Sequence, residues 1–318
     1  MAGSKQNVPF AIVFAGPNGS GKTSLIDEVR ATGLAALGNI FPVPEYFINP
    51  DQVARELPGV YATQDERDQA AFDRGIELRR QAIDTHTSFA YETVFSHPSR
   101  VNEIVMLKAK GFRVLLTFIA TEDPEINVRR VEQRFETKTT TGHFVPPERV
   151  RDRYHRIMKL LPTAVEMADA VFIYDNSIDF APPTQEAIVD GEELSIADQL
   201  PGWIERHFFV PLQQRASELE EYRAQCQAAD VPLLLPNLLD GEYVGTVERA
   251  TTHFALQRTT DGDLVLHDRA LLDTARESHP AGQHTYAAGT DLRIVYSEAV
   301  APVVLGNGAG STVDVDAN

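Results

Sequence analysis

The stretch Gly16-Pro17-Asn18-Gly19-Ser20-Gly21-Lys22-Thr23 constrains this chain more than any other part of it. It comes after Val8–Ala15 (VPFAIVFA), a continuous apolar run of buried-strand length, and it opens Thr23–Arg30, which reads as a helix. A strand, a GxxxxGKT turn and a helix in that order are the setting of a phosphate-binding loop. The glycines permit conformations in which successive amides converge on phosphate oxygens, and the helix amino terminus adds partial positive charge. Residues 16–24, from Gly16 through Thr23 to Ser24, are therefore the candidate nucleotide-binding set. Lys22 is placed to reach the β- and γ-phosphates, and Thr23 to offer its hydroxyl to Mg²⁺. The competing reading is an ordinary glycine-rich turn.

Beyond Arg30 the chain alternates in the βα manner. Strands are expected at Tyr46–Asn49, Ser88–Glu92, Phe112–Ala120 and Val171–Tyr174. Helices are expected over Gln64–Thr85, from Pro98 to Lys110, from Pro124 to about Phe135, and over Pro147–Ala168, with Lys138–Pro147 as a loop. Strands separated by helices imply an α/β domain: a parallel sheet with helices on both faces. Residues 177–202 read as acidic and irregular, and Trp203 to about Ala229 as a helix. From Tyr243, short alternating runs broken by Asp-Gly, Gly and Pro imply a small antiparallel β unit. The expected organisation is thus 1–180 as the phosphate-loop domain, 181–235 as an acidic linker and helix, 236–305 as the β domain, and 306–318 as a disordered tail.

Charge divides the 318 residues in the same place. Residues 1–180 carry 21 Lys/Arg against 24 Asp/Glu, whereas 181–318 carry 8 against 22, most of the net −17. A strongly acidic second half excludes a phosphate-backbone footprint there, so neither nucleic acid nor an anionic membrane is an expected partner. No run of 18 apolar residues suggests a membrane span, and the amino terminus lacks a secretory pattern. The single cysteine, Cys226, excludes a disulfide framework and fits a reducing, cytoplasmic setting.

A bound triphosphate needs an acceptor-side base and cations over the transferring charge if transfer is to occur. Asp51, just past the second strand, lies in the rim where open α/β sheets bind ligands; the alternative is that it caps the next helix. Glu92 and Thr93 end the third strand in the same rim, either as site residues or as a solvated strand end. Arg130 and Arg134 share one helix face, and Arg149, Arg153 and Arg156 share another. Two arginine-bearing helices joined by a small-residue loop fit a lid, the alternative being a surface paired with neighbouring Glu and Asp. His143 sits at the tip of that loop, Arg100 comes after the third strand, and Asp175-Asn176 either floors the nucleotide pocket or forms a turn.

In order along the chain, GPNGSGKT, Asn49-Pro50-Asp51, SFAYETVFSHPSR, FRVLLTFIA, RRVEQRF with GHFVPPERVRDRYHR, and Tyr174–Ser177 resemble the zeta-toxin family of kinases, in its branch without an assigned substrate. The resemblance implies ATP or GTP as donor, Mg²⁺ as cofactor, and a small-molecule acceptor such as the amino-sugar hydroxyl of UDP-N-acetylglucosamine. It also implies an antitoxin protein that blocks the nucleotide site. It makes Asp51 the base and Arg134 the first lid arginine, with Glu92 and Thr93 on the acceptor. The chain departs from the toxins at two places. His143 stands before Val145-Pro146 where the second lid arginine is expected, leaving Arg149 or Arg153 as substitutes, and TVFSHPSR replaces a Gly-Thr-containing acceptor stretch. The carboxy-terminal β unit faintly resembles the KfrB-type domain of plasmid-associated proteins. A different class of function, a slow ATPase switch signalling through the acidic β domain, has no need of the carboxylate rim. A third reading has the acidic half capping the basic lid as an internal inhibitor.

Overall fold

The computed structural model describes residues 8–59, 61–137, 145–278, 286–298 and 300–306. His143 and residues 307–318 of the expected tail lie outside the described residues. The rest fall into two compact units, within Met1–Ser96 and Glu103–Phe209, and within His97–Asn102 and Val210–Asn318. No helix among the described residues is long and apolar enough to cross a membrane.

In the first unit the chain runs through β1 (Phe10–Ala15), α1 (Lys22–Thr32), the hairpin β2 (Leu34–Ala36) and β3 (Asn39–Phe41), β4 (Phe47–Ile48), α2 (Pro50–Glu56), α3 (Gln64–Asp84) and β5 (Phe89–Thr93). It continues through α4 (Ser99–Ala109), of which the residues up to Asn102 group with the second unit, β6 (Arg113–Ala120), α5 (Pro124–Glu136), α6 (Pro147–Met167), β7 (Ala170–Asp175), β8 (Thr184–Asp190), β9 (Glu193–Ile196) and the short α7 (Gly202–Ile204). The sheet order is β4-β5-β1-β6-β7-β8-β9. β4 to β7 are parallel, as βαβ crossovers require, and β1 and β6 are buried almost throughout. Leu25, Ile26 and Val29 of α1 pack on that sheet with Phe14, Ile119 and Phe172.

Two strands correct the expectation of an irregular 177–202, and they extend the parallel sheet with an antiparallel edge. β8 and β9 pair antiparallel on the edge beside β7, joined through Gly191 at φ 62. Asp190-Gly191 between alternating apolar residues is a hairpin signal, and charge at Glu192 and Glu193 suits an edge that must not pair further. The segment 181–235 therefore adds two strands to the first unit before its helix begins.

The second unit opens, after a π-helical turn at Glu205–Phe209 that ends the first, with α8 (Val210–Ala228). It continues through β10 (Leu233–Leu234), β11 (Glu242–Ala250), β12 (Phe254–Thr259), β13 (Leu264–Asp268), α9 (Arg269–Ser278), β14 (Asp291–Val295) and β15 (Val303–Gly306). Its sheet order is β10-β13-β12-β11-β14-β15, antiparallel except at β10. Tyr222 and Cys226 of α8 pack on Phe254, Leu256, Leu264 and Leu266, so the cysteine is a core residue. α9 is a helix within the β unit, and Leu271, Leu272 and Ala275 bury one of its faces.

Candidate functional site

The loop between β1 and α1 is shaped by close backbone approach. A Cβ on Gly16 would overlap the Ile119 carbonyl oxygen of β6. Gly21 sits at φ 96, and a Cβ there would overlap Nδ2 of Asn176, so only glycine fits both the conformation and the space. Ser20 and Pro17 are buried, Asn18 and Gly19 half-buried, and Thr23 and Ser24 exposed at the start of α1.

Lys22 is 8% exposed. Its Nζ donates to the carbonyls of Gly16 and Pro17, each at 3.0 Å, and faces Glu92 Oε1 at 3.7 Å, an ion-pair distance. Burial pushes its pKa below the ordinary lysine value; Glu92 opposes that, Arg134 adds to it, and Asp51 opposes it again. Charges from α2, β5 and α5 thus act on one ammonium. Register explains why β5 contributes: it runs parallel to β1 with Glu92 opposite Phe14 and Thr93 opposite Ala15, at the same sheet end as the loop.

Asp51 is not the cap of α2. Asn49 is: its Oδ1 accepts from Gln52 N at 3.1 Å, while its Nδ2 donates to Glu92 Oε2 at 2.9 Å. One asparagine therefore ends β4, starts α2 and holds the carboxylate that faces Lys22. Asp51 is left exposed in the first turn of α2. A side chain that names itself in the sequence only as an Asn-Pro start signal is the bracket of the site. Thr93 Oγ1 accepts from Phe95 N at 3.2 Å and helps hold the turn after β5.

The arginines divide. Arg130 is committed to structure, through Nη1 to the Asn176 carbonyl (2.8 Å) and Nε to Asp179 Oδ1 (2.9 Å), and Arg129 meets the other Asp179 oxygen. Arg151 ties α6 to Glu125 of α5 at 2.5 and 2.8 Å, and Arg156 pairs with Asp152. Arg153 Nη1 donates to Asn18 Oδ1 of the phosphate loop at 3.0 Å. Burial lowers its pKa, as do Arg149 and Arg156 beside it, so α6 presents concentrated positive charge to the loop. Arg149 is exposed on the same helix. Arg100 does not join this set: it lies in His97–Asn102, which packs with the second unit. Asn176 floors the loop by donating from Nδ2 to the Ser20 carbonyl at 2.8 Å, whereas Asp175 accepts from Ser177 and from the Trp203 indole.

Among the described residues no group of three His, Cys, Asp or Glu side chains is arranged to hold a metal by itself. An exposed hydroxyl at Thr23 with carboxylates across the loop is an all-oxygen donor set, which fits Mg²⁺ carried in with phosphates rather than a resident transition metal.

A parallel sheet with a lysine-bearing phosphate loop and carboxylates at the neighbouring strand ends defines an α/β protein of the phosphate-loop kinase-like class. The family model for zeta toxin matches residues 2–179, more than half of the chain, and the chain belongs to that family. A KfrB domain model matches residues 242–305. An uncharacterized protein of Haemophilus influenzae is 30% identical over 146 residues, 45% of this chain and 91% of that one. Among solved structures, AvrRxo1-ORF1:-ORF2 with ATP aligns at 15% identity and TM-score 0.45, over 61% of this chain and 62% of that chain's length. The PezAT toxin–antitoxin system of Streptococcus pneumoniae aligns at 21% identity and TM-score 0.40, over 54% and 69%.

Proposed function

We propose that the first unit is a phosphotransferase that moves the γ-phosphoryl group of ATP or GTP to a hydroxyl of a small metabolite. The observation that carries this reading is the convergence on Lys22 of a carboxylate bracketed by Asn49, a second carboxylate at Asp51 and the cation Arg134, beside a phosphate loop touched by Arg153. A loop that only captured nucleotide has use for one carboxylate, toward Mg²⁺, and a second beside an anionic ligand would only repel it. A transferase needs that second one.

In this reading the loop amides hold the triphosphate, and Lys22 exchanges the Gly16 and Pro17 carbonyls for phosphate oxygens. Thr23 is the residue that would hold Mg²⁺, which neutralises phosphate charge when bound. Asp51 takes the acceptor's hydroxyl proton as that oxygen bonds to the γ-phosphorus, and the bond to the bridging oxygen breaks to release nucleoside diphosphate. Lys22, Arg134 and Arg153 stabilise the charge spread over the moving group. Glu92 and Thr93 border the acceptor side, with Arg149 on the lid side. The acceptor class that fits the family is an N-acetyl amino sugar carried on UDP, or another nucleotide. The natural inhibitor is an antitoxin protein that occupies the nucleotide site.

Incubation with γ-labelled ATP and a pool of sugar nucleotides tests this. Wild-type protein should yield a labelled small molecule, and Asp51→Ala should yield none while binding ATP with nearly unchanged affinity. Release of inorganic phosphate without a labelled acceptor would overturn the transferase in favour of an ATPase switch.

A further inference from the structure

We infer that Trp203 is a positioning residue of the nucleotide site, acting on the phosphate loop through Asp175 and Asn176. Its place in the chain does not suggest this: it stands in α7, beyond the residues that match the zeta-toxin model. The inference rests on the phosphotransferase reading, and it concerns which residues hold the loop in register rather than which ones touch the phosphates.

The link begins at Asn176. Its side chain donates to the Ser20 carbonyl at 2.8 Å, and its Nδ2 occupies the space that a Cβ on Gly21 would need. Ser20 and Gly21 are where the loop turns into α1, so a displacement of Asn176 moves the amides that face a phosphate. The backbone of Asn176 is held on both sides, by N–H to the Ala120 carbonyl at 2.9 Å and by its own carbonyl to Arg130 Nη1 at 2.8 Å. What fixes the residues on either side of it is a closed circuit. The Trp203 indole Nε1 donates to Asp175 Oδ1 at 2.7 Å, and Ser177 donates to the same carboxylate from Oγ at 2.5 Å and from N at 3.0 Å. Ser177 Oγ in turn accepts from Glu122 N at 2.8 Å, and Glu122 Oε2 accepts from the Trp203 main-chain N at 2.9 Å. Trp203 thus holds the circuit at two points, by indole and by backbone.

Burial makes those bonds consequential. Trp203 is fully buried and Asp175 nearly so, and these three hydrogen bonds to the carboxylate all come from neutral donors. A buried carboxylate that loses one donor recovers by shifting, since a polar group in that setting costs most when unsatisfied. The shift available to Asp175 moves Asn176 next to it. Trp203 also packs against Phe118, with ring centroids 6.1 Å apart, on the strand whose Ile119 carbonyl lies against Gly16. Both ends of the loop are therefore braced by neighbours of one indole. The π-helical turn Glu205–Phe209 comes directly after, a geometry that often accompanies functional constraint.

Trp203→Phe keeps one aromatic ring in the core and removes the indole donor. The expected result is a rise of roughly tenfold in KM for Mg·ATP, with kcat held within about twofold. A residue that merely supports the core would lower the unfolding temperature and leave KM unchanged; that outcome overturns the inference. Should Trp203→Phe fail to fold, the wild-type chain carries the test, because Trp203 is its only tryptophan. Titration with Mg·ATP should change the tryptophan emission with the same midpoint that equilibrium dialysis gives for binding. Binding by dialysis with silent emission, alongside an unaltered KM wherever the variant can be assayed, sinks the positioning role alone. Absence of any Mg·ATP binding by dialysis sinks the phosphotransferase reading and this inference with it.

Discussion

The two units treat polar side chains in opposite ways. In the first, Lys22, Glu92, Asp51 and Arg134 act on one another beside the phosphate loop, and Arg153 bonds to Asn18 of that loop. In the second, Gln257 and His267 lie buried inside the sheet and are bonded there. Gln257 Nε2 donates to the Gly245 and Leu292 carbonyls at 3.1 and 2.8 Å. His267 lies between Gln257 Oε1 and the Tyr296 hydroxyl, and Arg215 meets Asp268 at 2.8 Å. Buried or perturbed polar groups therefore do not by themselves mark a site. What distinguishes the first unit is that its charges stand at strand ends beside the phosphate loop; those of the second are spent on holding strands together.

The sharpest break in that comparison comes from removing one charge on each side. Lys22→Ala should lower labelled phosphate transfer by about 10³–10⁵-fold, the span attached to losing a cation over a transferring phosphoryl group. Urea unfolding of the second unit should not change. Activity within tenfold of wild type would mean that the strand-end charges are as structural as those of the other unit.

Arg215→Ala should do the reverse, leaving transfer intact and destabilising the second unit by about 3–5 kcal/mol, because Asp268 keeps its buried charge without that cation. Asp268 also accepts from Ala270 N at 2.7 Å where α9 begins, so the helix should fray as well. Replacing both partners with apolar residues of similar size should recover most of the loss. A loss below about 1 kcal/mol in denaturant titrations would place this pair with ordinary surface ion pairs.

How far these roles are legible in the sequence differs by physical cause. The phosphate loop stands out because three independent requirements coincide within Val8–Thr23: an apolar β-branched run, glycines at fixed spacing, and Lys-Thr opening a helix. Asp51 and Glu92 are visible as strand-end carboxylates. The sequence does not show which of them is bracketed, because Asn49 reads as punctuation until its second bond, 43 residues away, is seen. β8 and β9 are hidden by acidity, which composition assigns to irregular chain although an edge strand needs charge. Arg100 looks close to the site along the chain and lies with the other unit. Trp203 carries no local signal, since its partners are 28 and 81 residues distant.

His267 gives the smallest effect and the most specific one. Gln257 commits its amide N–H groups to two carbonyls, so its Oε1 faces the ring and His267 Nε2 is the donor, leaving Nδ1 to accept from Tyr296. Burial pushes the pKa of this neutral imidazole down to about 3. In the unfolded chain the same group titrates near 6.5. Above pH 6.5 neither state binds the proton and stability is unaffected. As pH falls below 6.5 the unfolded state takes up a proton that the folded state refuses, so stability is lost progressively until the folded pKa is reached. At pH 5 the loss should be about 2 kcal/mol, a figure that needs only a folded pKa below 5. Most carboxylates remain ionised in that window, and subtracting the profile of His267→Gln removes the shared contribution of the other histidines. Parallel profiles between pH 7 and 5 would show that the ring reaches solvent or a counter-charge when protonated. The second unit would then hold a group poised to titrate, and the contrast between a reactive unit and an inert one would fail at that residue.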